Sequence, residues 1–281
     1  MLSSPITPFI FKNNFYHIKR DDLLTPFEGN KARKFYYFYK NDFPHIKRVI
    51  SFGSNQSNAM YALSKLCKIK NWEFIYYTNH IPSFLKQNPV GNYLEALKNG
   101  MKIIETNLNA EELRKFVLSK RNENTLIIEE GGRIKESEEG IKILADEINE
   151  YVIKNNLKVF LPSGTGTTAY FLAKHLDVDV ITTPCVGDKD YLKKQFNMLG
   201  KIPQNLHIIS PKRKYHFGKL YLNLYNLWKE LKKSGIEFDL LYDPIGWESI
   251  LHNNLKNILY IHQGGLLGNI TMVQRYKRKY N

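Results

Sequence analysis

The sequence predicts an α/β protein with mainly parallel strands, and three observations carry that expectation. Apolar runs of strand length alternate with stretches whose apolar residues recur every three or four positions, the pattern of amphipathic helices. Several of these runs end in loops of small polar residues, and in parallel sheets ligands gather at the carboxyl ends of strands. The chain of 281 residues, 43% of them hydrophobic, is large enough to bury a substantial core and suits one large or two ordinary domains.

In chain order, the apolar runs place strands at Arg48–Phe52, Glu73–Thr78, Lys102–Glu105, Leu126–Glu129, Lys158–Leu161, Val178–Thr182, Leu206–Ser210, Phe238–Tyr242 and Ile258–Ile261. Helical spacing falls at Ser57–Lys68, Asn92–Asn99, Ala110–Lys120, Glu138–Lys154, Thr168–His175, Tyr191–Leu199 and Lys219–Lys233. No internal repeat or low-complexity linker interrupts the pattern, so two domains would be joined without a flexible tether.

Composition narrows the function. The 41 basic against 27 acidic residues give a formal charge of +14, which attracts phosphates, nucleic acids and anionic substrates. The lysines are scattered, and the dense runs are Lys212-Arg213-Lys214 and Arg275-Tyr276-Lys277-Arg278-Lys279. A helix C-terminus explains the second run as well as nucleic acid does. Cys67 and Cys185 lie far apart, without a Cys or His pair at zinc spacing, and read as small buried hydrophobes. No run approaches a membrane helix, and Met1-Leu2-Ser3-Ser4-Pro5 lacks the regions of a signal peptide, so a cytoplasmic enzyme is the expectation. The Asn-x-Ser/Thr matches at Asn55 and Asn269 carry no weight without a sign of secretion.

Three segments carry candidate chemistry. Lys31 sits in Gly29-Asn30-Lys31-Ala32-Arg33-Lys34, where a lysine held by a Gly-Asn turn supplies an amine for an imine, or is one solvated lysine among many. Gly53-Ser54-Asn55-Gln56-Ser57-Asn58 follows a strand and opens a helix, offering backbone N–H groups to an anion such as a carboxylate; Ser57 and Asn58 also suit a plain cap. Ser163-Gly164-Thr165-Gly166-Thr167-Thr168 pairs glycines with hydroxyl donors ahead of a helix, as a phosphate cradle does. It has neither a P-loop ending nor dinucleotide glycine spacing, and alone it reads equally as a flexible turn.

Taken together, the Gly29-Asn30-Lys31 turn with Arg33-Lys34, Gly53-x-x-Gln56-Ser57-Asn58, the Ser163–Thr168 loop, Asp243-Pro244 and His262-x-Gly264-Gly265 occur in the order seen in the 1-aminocyclopropane-1-carboxylate (ACC) deaminase and D-cysteine desulfhydrase family. Lys19-Arg20-Asp21-Asp22 resembles that family's segment before the lysine turn. The resemblance implies a pyridoxal-phosphate enzyme of the tryptophan-synthase-β fold type (fold type II), a homodimer acting on a small amino acid. It implies a large cofactor-binding domain of residues 1–41 and 137–281, a small domain of residues 42–136 carrying the Ser-Asn loop, and the cofactor between them. By motif position Lys31 is the Schiff-base lysine and catalytic base, Asn58 bonds the ring hydroxyl, and Ser57 faces the substrate. Thr165, Gly166 and Thr167 hold the phosphate, with Lys34 as a further candidate against the bland reading of a surface lysine.

The sequence departs from the family in two places. The family carries a tyrosine followed by glutamate or threonine shortly after Asp-Pro, whereas Asp243-Pro244 here leads into Ile245-Gly246-Trp247-Glu248. A one-residue shift makes Trp247 the aromatic group toward the substrate and Glu248 the acid at the ring nitrogen; the rival reading of Glu248 is an exposed first-turn acid. Phe217 stands where the family presents another tyrosine, with Tyr215 or His216 as substitutes. The expected activity is D-cysteine desulfhydration by β-elimination to pyruvate, sulfide and ammonia, with ACC deamination as the alternative. A catalytically inactive cofactor-binding protein and a basic nucleic-acid-binding protein are the readings from other classes.

Overall fold

The computed structural model describes residues 2–280 and is an α/β protein with two sheets. The chain opens with a hairpin of β1 (Ile6–Phe11) and β2 (Asn14–Lys19), turned at Lys12 and Asn13, whose φ of 48° and 60° match the right-handed twist of the strands. The sequence reading missed this hairpin. Pro8 disguises β1, and it is tolerated because β1 lies at the edge of its sheet. A 3-10 turn at Asp21–Leu23 and the short helix α1 (Asn30–Lys34) follow.

Next come α2 (Tyr36–Lys40), β3 (Arg48–Phe52), α3 (Asn58–Lys70), β4 (Glu73–Thr78), α4 (Ser83–Gln87), α5 (Gly91–Lys98), β5 (Lys102–Glu105), α6 (Ala110–Leu118) and β6 (Thr125–Ile128). These strands form a fully parallel sheet in the order β5-β4-β3-β6. Asn109 and Glu112 close a reciprocal capping box at the start of α6, which lays Leu113 and Val117 against Ile50, Phe52 and Ile127.

The chain then runs through α7 (Ser137–Lys154), β7 (Lys158–Ser163), α8 (Thr167–His175), β8 (Val180–Pro184), α9 (Lys189–Asn197), β9 (Leu206–Ile208), α10 (Leu222–Lys233), α11 (Asp243–His252), β10 (Ile258–Ile261) and α12 (Gly268–Tyr280). Its strands join the hairpin in the order β1-β2-β10-β7-β8-β9, parallel throughout except for β1 against β2. Both faces of this sheet are covered. On β7 and β10, Val159, Leu161, Leu259 and Ile261 meet Ile141, Leu144, Ile148 and Val152 of α7, while Phe160, Ile258 and Tyr260 point the other way toward Leu231, Phe238 and Trp247. Period-two alternation with both sides buried is why these strands read as unbroken apolar runs.

One expected strand is absent. Residues 238–242 form a turn, because Asp239 Oδ1 accepts the N–H groups of Leu241 at 2.8 Å and Tyr242 at 2.5 Å and winds the chain directly into α11. The chain divides into two compact units, Met1–Lys34 with Glu138–Asn281, and Phe35–Ser137. The first boundary falls before α2 instead of at residue 42. Phe38 packs on Phe43, Phe43 on Trp72, and Lys70 Nζ donates to Asn41 O at 2.9 Å, which ties α2 to the residues after it. No helix among the described residues is long and apolar enough to cross a membrane.

Trp247, expected to face the substrate, is instead a core residue with no exposed surface. Its ring lies 4.9–5.6 Å, centroid to centroid, from Phe9, Phe11, Tyr16, Phe238 and Tyr260. Trp247→Ala is therefore expected to cost about 3–5 kcal/mol, the usual range for emptying a buried aromatic site. Denaturant unfolding reads this directly, and a loss under about 1 kcal/mol would show that the ring is not packed as described.

Candidate functional site

The turn that presents Lys31 is seated on another backbone. Gly29 has φ +65°, and a Cβ there would lie 1.6 Å from Gln263 O; one on Gly264 would lie 2.8 Å from Gly29 Cα. Only glycine allows this approach. Asn30 N–H donates to Gln263 O at 3.0 Å, and Asn30 Nδ2 donates to Gln263 Oε1 at 2.8 Å. Gln263 Nε2 in turn donates to Pro162 O at 2.6 Å, so one side chain joins the lysine turn to the carboxyl end of β7. Lys31 Nζ donates to Asn30 Oδ1 at 2.9 Å. Burial pushes this amine down to about 8, against the pull of the Asp239 carboxylate toward the charged form.

Behind the lysine, Arg33 is wholly buried and was not singled out by sequence. Its guanidinium donates to both oxygens of Asp21 at 3.0 and 2.7 Å, to Glu147 at 2.9 and 3.0 Å, and to Leu2 O at 2.9 Å. Asp21 O also accepts the N–H of Gly29 at 2.7 Å, which pins the turn from below. Lys34, on the same short helix, is buried rather than a surface lysine.

One residue beyond Pro162, β7 ends at Ser163 and the glycine-threonine loop begins. Gly166 caps α8 with φ +71°, and a Cβ there would lie 2.3 Å from Phe196 Cε1. Thr165 Oγ1 and Thr167 Oγ1 are 3.1 Å apart, Thr167 is fully buried, and Thr168 Oγ1 is buried with no hydrogen-bond partner among the described residues. An unpaired hydroxyl at a helix start, beside N–H groups that have no acceptor within the helix, is a donor set that suits an anion. Gly164 lies under Tyr242, since a Cβ at Gly164 would stand 3.4 Å from Tyr242 Cε1 and 3.6 Å from its hydroxyl.

Glu248, expected as the acid at the ring nitrogen, is held by other partners. Its carboxylate accepts from Tyr215 Oη at 2.6 Å and from Lys212 N–H at 3.0 Å, which also commits the hydroxyl offered as a substitute for the missing tyrosine. His216 is exposed and donates its N–H to Tyr221 Oη. Asp239, whose charge acts on Lys31, and Asp243, bonded to the Asp239 N–H, are both buried. Asp243 accepts from Tyr260 Oη at 2.5 Å and from the Asp239 N–H at 2.8 Å, and burial beside Asp239 holds its carboxyl well above the usual carboxylate range. Asp239 is pushed up to about 7 by burial. The signal that would have found them is Asp239-x-x-Tyr242-Asp243, an aspartate followed by a tyrosine and an acid, which lacks the proline that drew attention to Asp243-Pro244. Tyr242 is also the tyrosine beside Phe217, with ring centroids 5.6 Å apart.

The second unit places Ser57 and Asn58 at the head of α3. Ser57 Oγ caps the helix, accepting from Ala59 N–H at 3.1 Å and Met60 N–H at 3.4 Å. Asn58 Oδ1 accepts from Asn92 Nδ2 at 2.6 Å, and Asn92 Nδ2 also donates to Gln56 O at 2.9 Å. Beside them, Tyr76 Oη donates to Ser54 O at 3.1 Å, and burial raises this phenol beyond its ordinary range. The capping role is thus observed. It occupies the Ala59 and Met60 N–H groups and leaves, at the start of this 13-residue helix, the positive end of the helix dipole to favour an anion.

No protein-family model matches the sequence, nor does any curated protein sequence. Solved structures do match. An ACC deaminase homologue superposes with a TM-score of 0.76 at 20% identity, covering 99% of this chain and 92% of that one. A hydrogen sulfide-producing enzyme from Fusobacterium nucleatum gives 0.63 at 15% identity, covering 93% of each chain. A pyridoxal 5'-phosphate-dependent aspartate racemase gives 0.63 at 10% identity, covering 93% of this chain and 90% of that one. Over nearly its whole length, then, this chain has the fold of these proteins, the tryptophan-synthase-β type of α/β architecture.

Proposed function

We propose that the protein is a pyridoxal-phosphate-dependent lyase or deaminase of small amino acids, acting by D-cysteine desulfhydrase-type β-elimination. The observation that carries this reading is Gln263, which fastens the Lys31 turn to Pro162 and so holds a desolvated amine and an anion cradle on one framework. The donor set fits the cofactor: Thr165, Gly166, Thr167 and the unpaired Thr168 hydroxyl suit its phosphate, and Lys31 suits its carbonyl. When bound, pyridoxal phosphate supplies an electron sink for the electrons released at Cα.

The chain's own residues supply the rest. An amine pushed down to about 8 is neutral in a useful fraction of molecules near neutral pH, so Lys31 can act as nucleophile and then carry the Cα proton. Asp243 is our candidate for the acid that would meet the ring nitrogen in place of Glu248, because it adjoins Tyr242, which lies over Gly164 of the cradle. In the second unit, Ser57 and the N-terminus of α3 suit a substrate carboxylate, and Asn58 remains our candidate for the ring hydroxyl. The sulfide-producing neighbour supports a thiolate leaving group. Opening a cyclopropane needs an added acid or nucleophile at a ring carbon, and Phe217 removes one hydroxyl from beside Tyr242.

The purified protein is expected to be yellow, to bleach with borohydride, and to carry the reduced adduct on Lys31; Lys31→Ala should lose the band and keep the fold. An adduct on another lysine would defeat the assignment. A chromophore without turnover on D- and L-amino acids would favour a binding protein, and no chromophore with salt-dependent nucleic-acid affinity would favour the basic-protein reading. Thr167→Val removes one donor to the phosphate and should cost about 1.5–3 kcal/mol, or about tenfold or more in cofactor affinity measured by titration. For substrate, kcat/KM on D-cysteine should exceed that on ACC, and Tyr242→Phe should widen the gap. Faster turnover of ACC by the wild-type protein would reverse the substrate order.

A further inference from the structure

Asn92, the second residue of α5, is buried and spends its side chain in one direction only. Its Nδ2 donates to Gln56 O at 2.9 Å and to Asn58 Oδ1 at 2.6 Å, while its own Oδ1 is buried with no hydrogen-bond partner among the described residues. A buried orphan acceptor is unfavourable, and here it accompanies an amide nitrogen whose two protons are both in use. Gln56 O settles which way that amide is turned. A backbone carbonyl can only accept, so Asn92 must face it with nitrogen. The same nitrogen then meets Asn58, which can answer only with its oxygen. The Asn58 NH2 group is thereby turned away from Asn92, and it has no hydrogen-bond partner among the described residues. Aspartate at position 92 would have no proton for either acceptor, and serine would have one where two are used. The seating of α5 has other supports. Gln56 Nε2 donates to Val90 O at 3.3 Å, Asn99 Nδ2 donates to Ser64 Oγ of α3 at 3.1 Å, and Tyr93 and Ala96 are buried.

We propose that Asn92 is a positioning residue that locks the Asn58 amide with its N–H groups outward, so that Asn58 offers donors alone to the ring oxygen of the cofactor. The inference rests on the reading of Asn58 as the partner of the ring hydroxyl, and it adds the residue that fixes which atom of Asn58 makes that bond. An asparagine held by nothing offers its carbonyl as readily as its amide. A carbonyl would accept the proton of the ring hydroxyl and keep that group neutral, whereas an N–H donor favours the ionised oxygen. The orientation is passed along a short path, from the Gln56 carbonyl to Asn92 and from Asn92 to Asn58.

The test has two readouts on the full chain. In protein freed of cofactor by dialysis against hydroxylamine, NMR of isotope-labelled asparagine amides measures exchange with water, the Asn58 signals being assigned by their loss in Asn58→Ser. The wild-type protein should show slow exchange at Asn92 and fast exchange at Asn58. Asn92→Asp presents only acceptors, so Asn58 should turn its nitrogen inward and exchange about tenfold or more slowly, the protection that a hydrogen bond to a charged group gives. In the loaded protein the same substitution should move absorbance from the visible band, which needs the ionised ring oxygen, to the near-ultraviolet band of the protonated one. A merely structural Asn92 would lower stability and move neither readout, and that result overturns the proposal. Slow exchange of Asn58 in the wild-type protein overturns it as well. If Asn92→Asp does not fold, Asn92→Ser keeps one proton and should shift the band the same way to a smaller extent; an unchanged band there refutes the role. A slowed Asn58 with an unchanged band would remove the ring oxygen as its target and equally overturn the proposal. A colourless wild-type protein fails the proposed function first and this inference with it, and is recognised before any variant is made.

Discussion

The contact between Gly29 and Gly264 governs the arrangement around Lys31. With any side chain at either position the two backbones would separate, Asn30 would lose Gln263, and Gln263 would lose its hold on Pro162. The lysine turn is five residues of helix, too short to be stable by propensity, and is held by the burial of Ala32, Arg33 and Lys34. Its placement is therefore borrowed from the His262–Gly265 loop on one side and from Arg33 with Asp21 and Glu147 on the other. Buried charge follows the same centre. Of the charged side chains buried among the described residues, Lys19, Asp21, Asp22, Arg33, Lys34, Asp239 and Asp243 belong to the unit that holds Lys31. Burying so much charge is unfavourable unless each group is answered, and such concentrations mark sites where protonation is being controlled.

Much of this was legible in the sequence where the signal is local. The strands at Arg48–Phe52, Glu73–Thr78 and Ile258–Ile261 coincide with the observed ones, because largely buried parallel strands declare themselves as apolar runs, and the exposed edge strand at Lys102–Glu105 coincides through its central Ile103-Ile104 pair. The cysteines are both buried and free, as small hydrophobes should be. The loop at Ser163–Thr168 and the cap at Ser57 were readable from glycine, hydroxyl and helix-start chemistry alone.

What failed was register and long-range pairing. Asp243-Pro244 is a conspicuous dipeptide, and anchoring on it moved the aromatic and acid assignments to Trp247, which is core, and to Glu248, which bonds Tyr215 and Lys212. The turn made by Asp239 is equally local, but it is masked by Phe238-Asp239-Leu240-Leu241-Tyr242, which has the composition of a strand. Arg33 was invisible for a different reason: its partners lie 12 and 114 residues away, and nothing in a lysine- and arginine-rich stretch distinguishes a buried guanidinium from a solvated one.

The unit that carries Lys31 is assembled from both ends of the chain, and this sets an order on synthesis. The segment Phe35–Ser137 is contiguous and can close its parallel sheet as soon as it has been translated. The opening hairpin must wait, because the strand that pairs with β2 inside the sheet is β10, near residue 260, and the loop that seats Gly29 follows it. Until then the hairpin has only β1 and β2 to pair with each other, and an isolated two-stranded ribbon is marginal in water. The buried environment of the Lys31 amine is thus completed last, when β10 and the loop after it have been made.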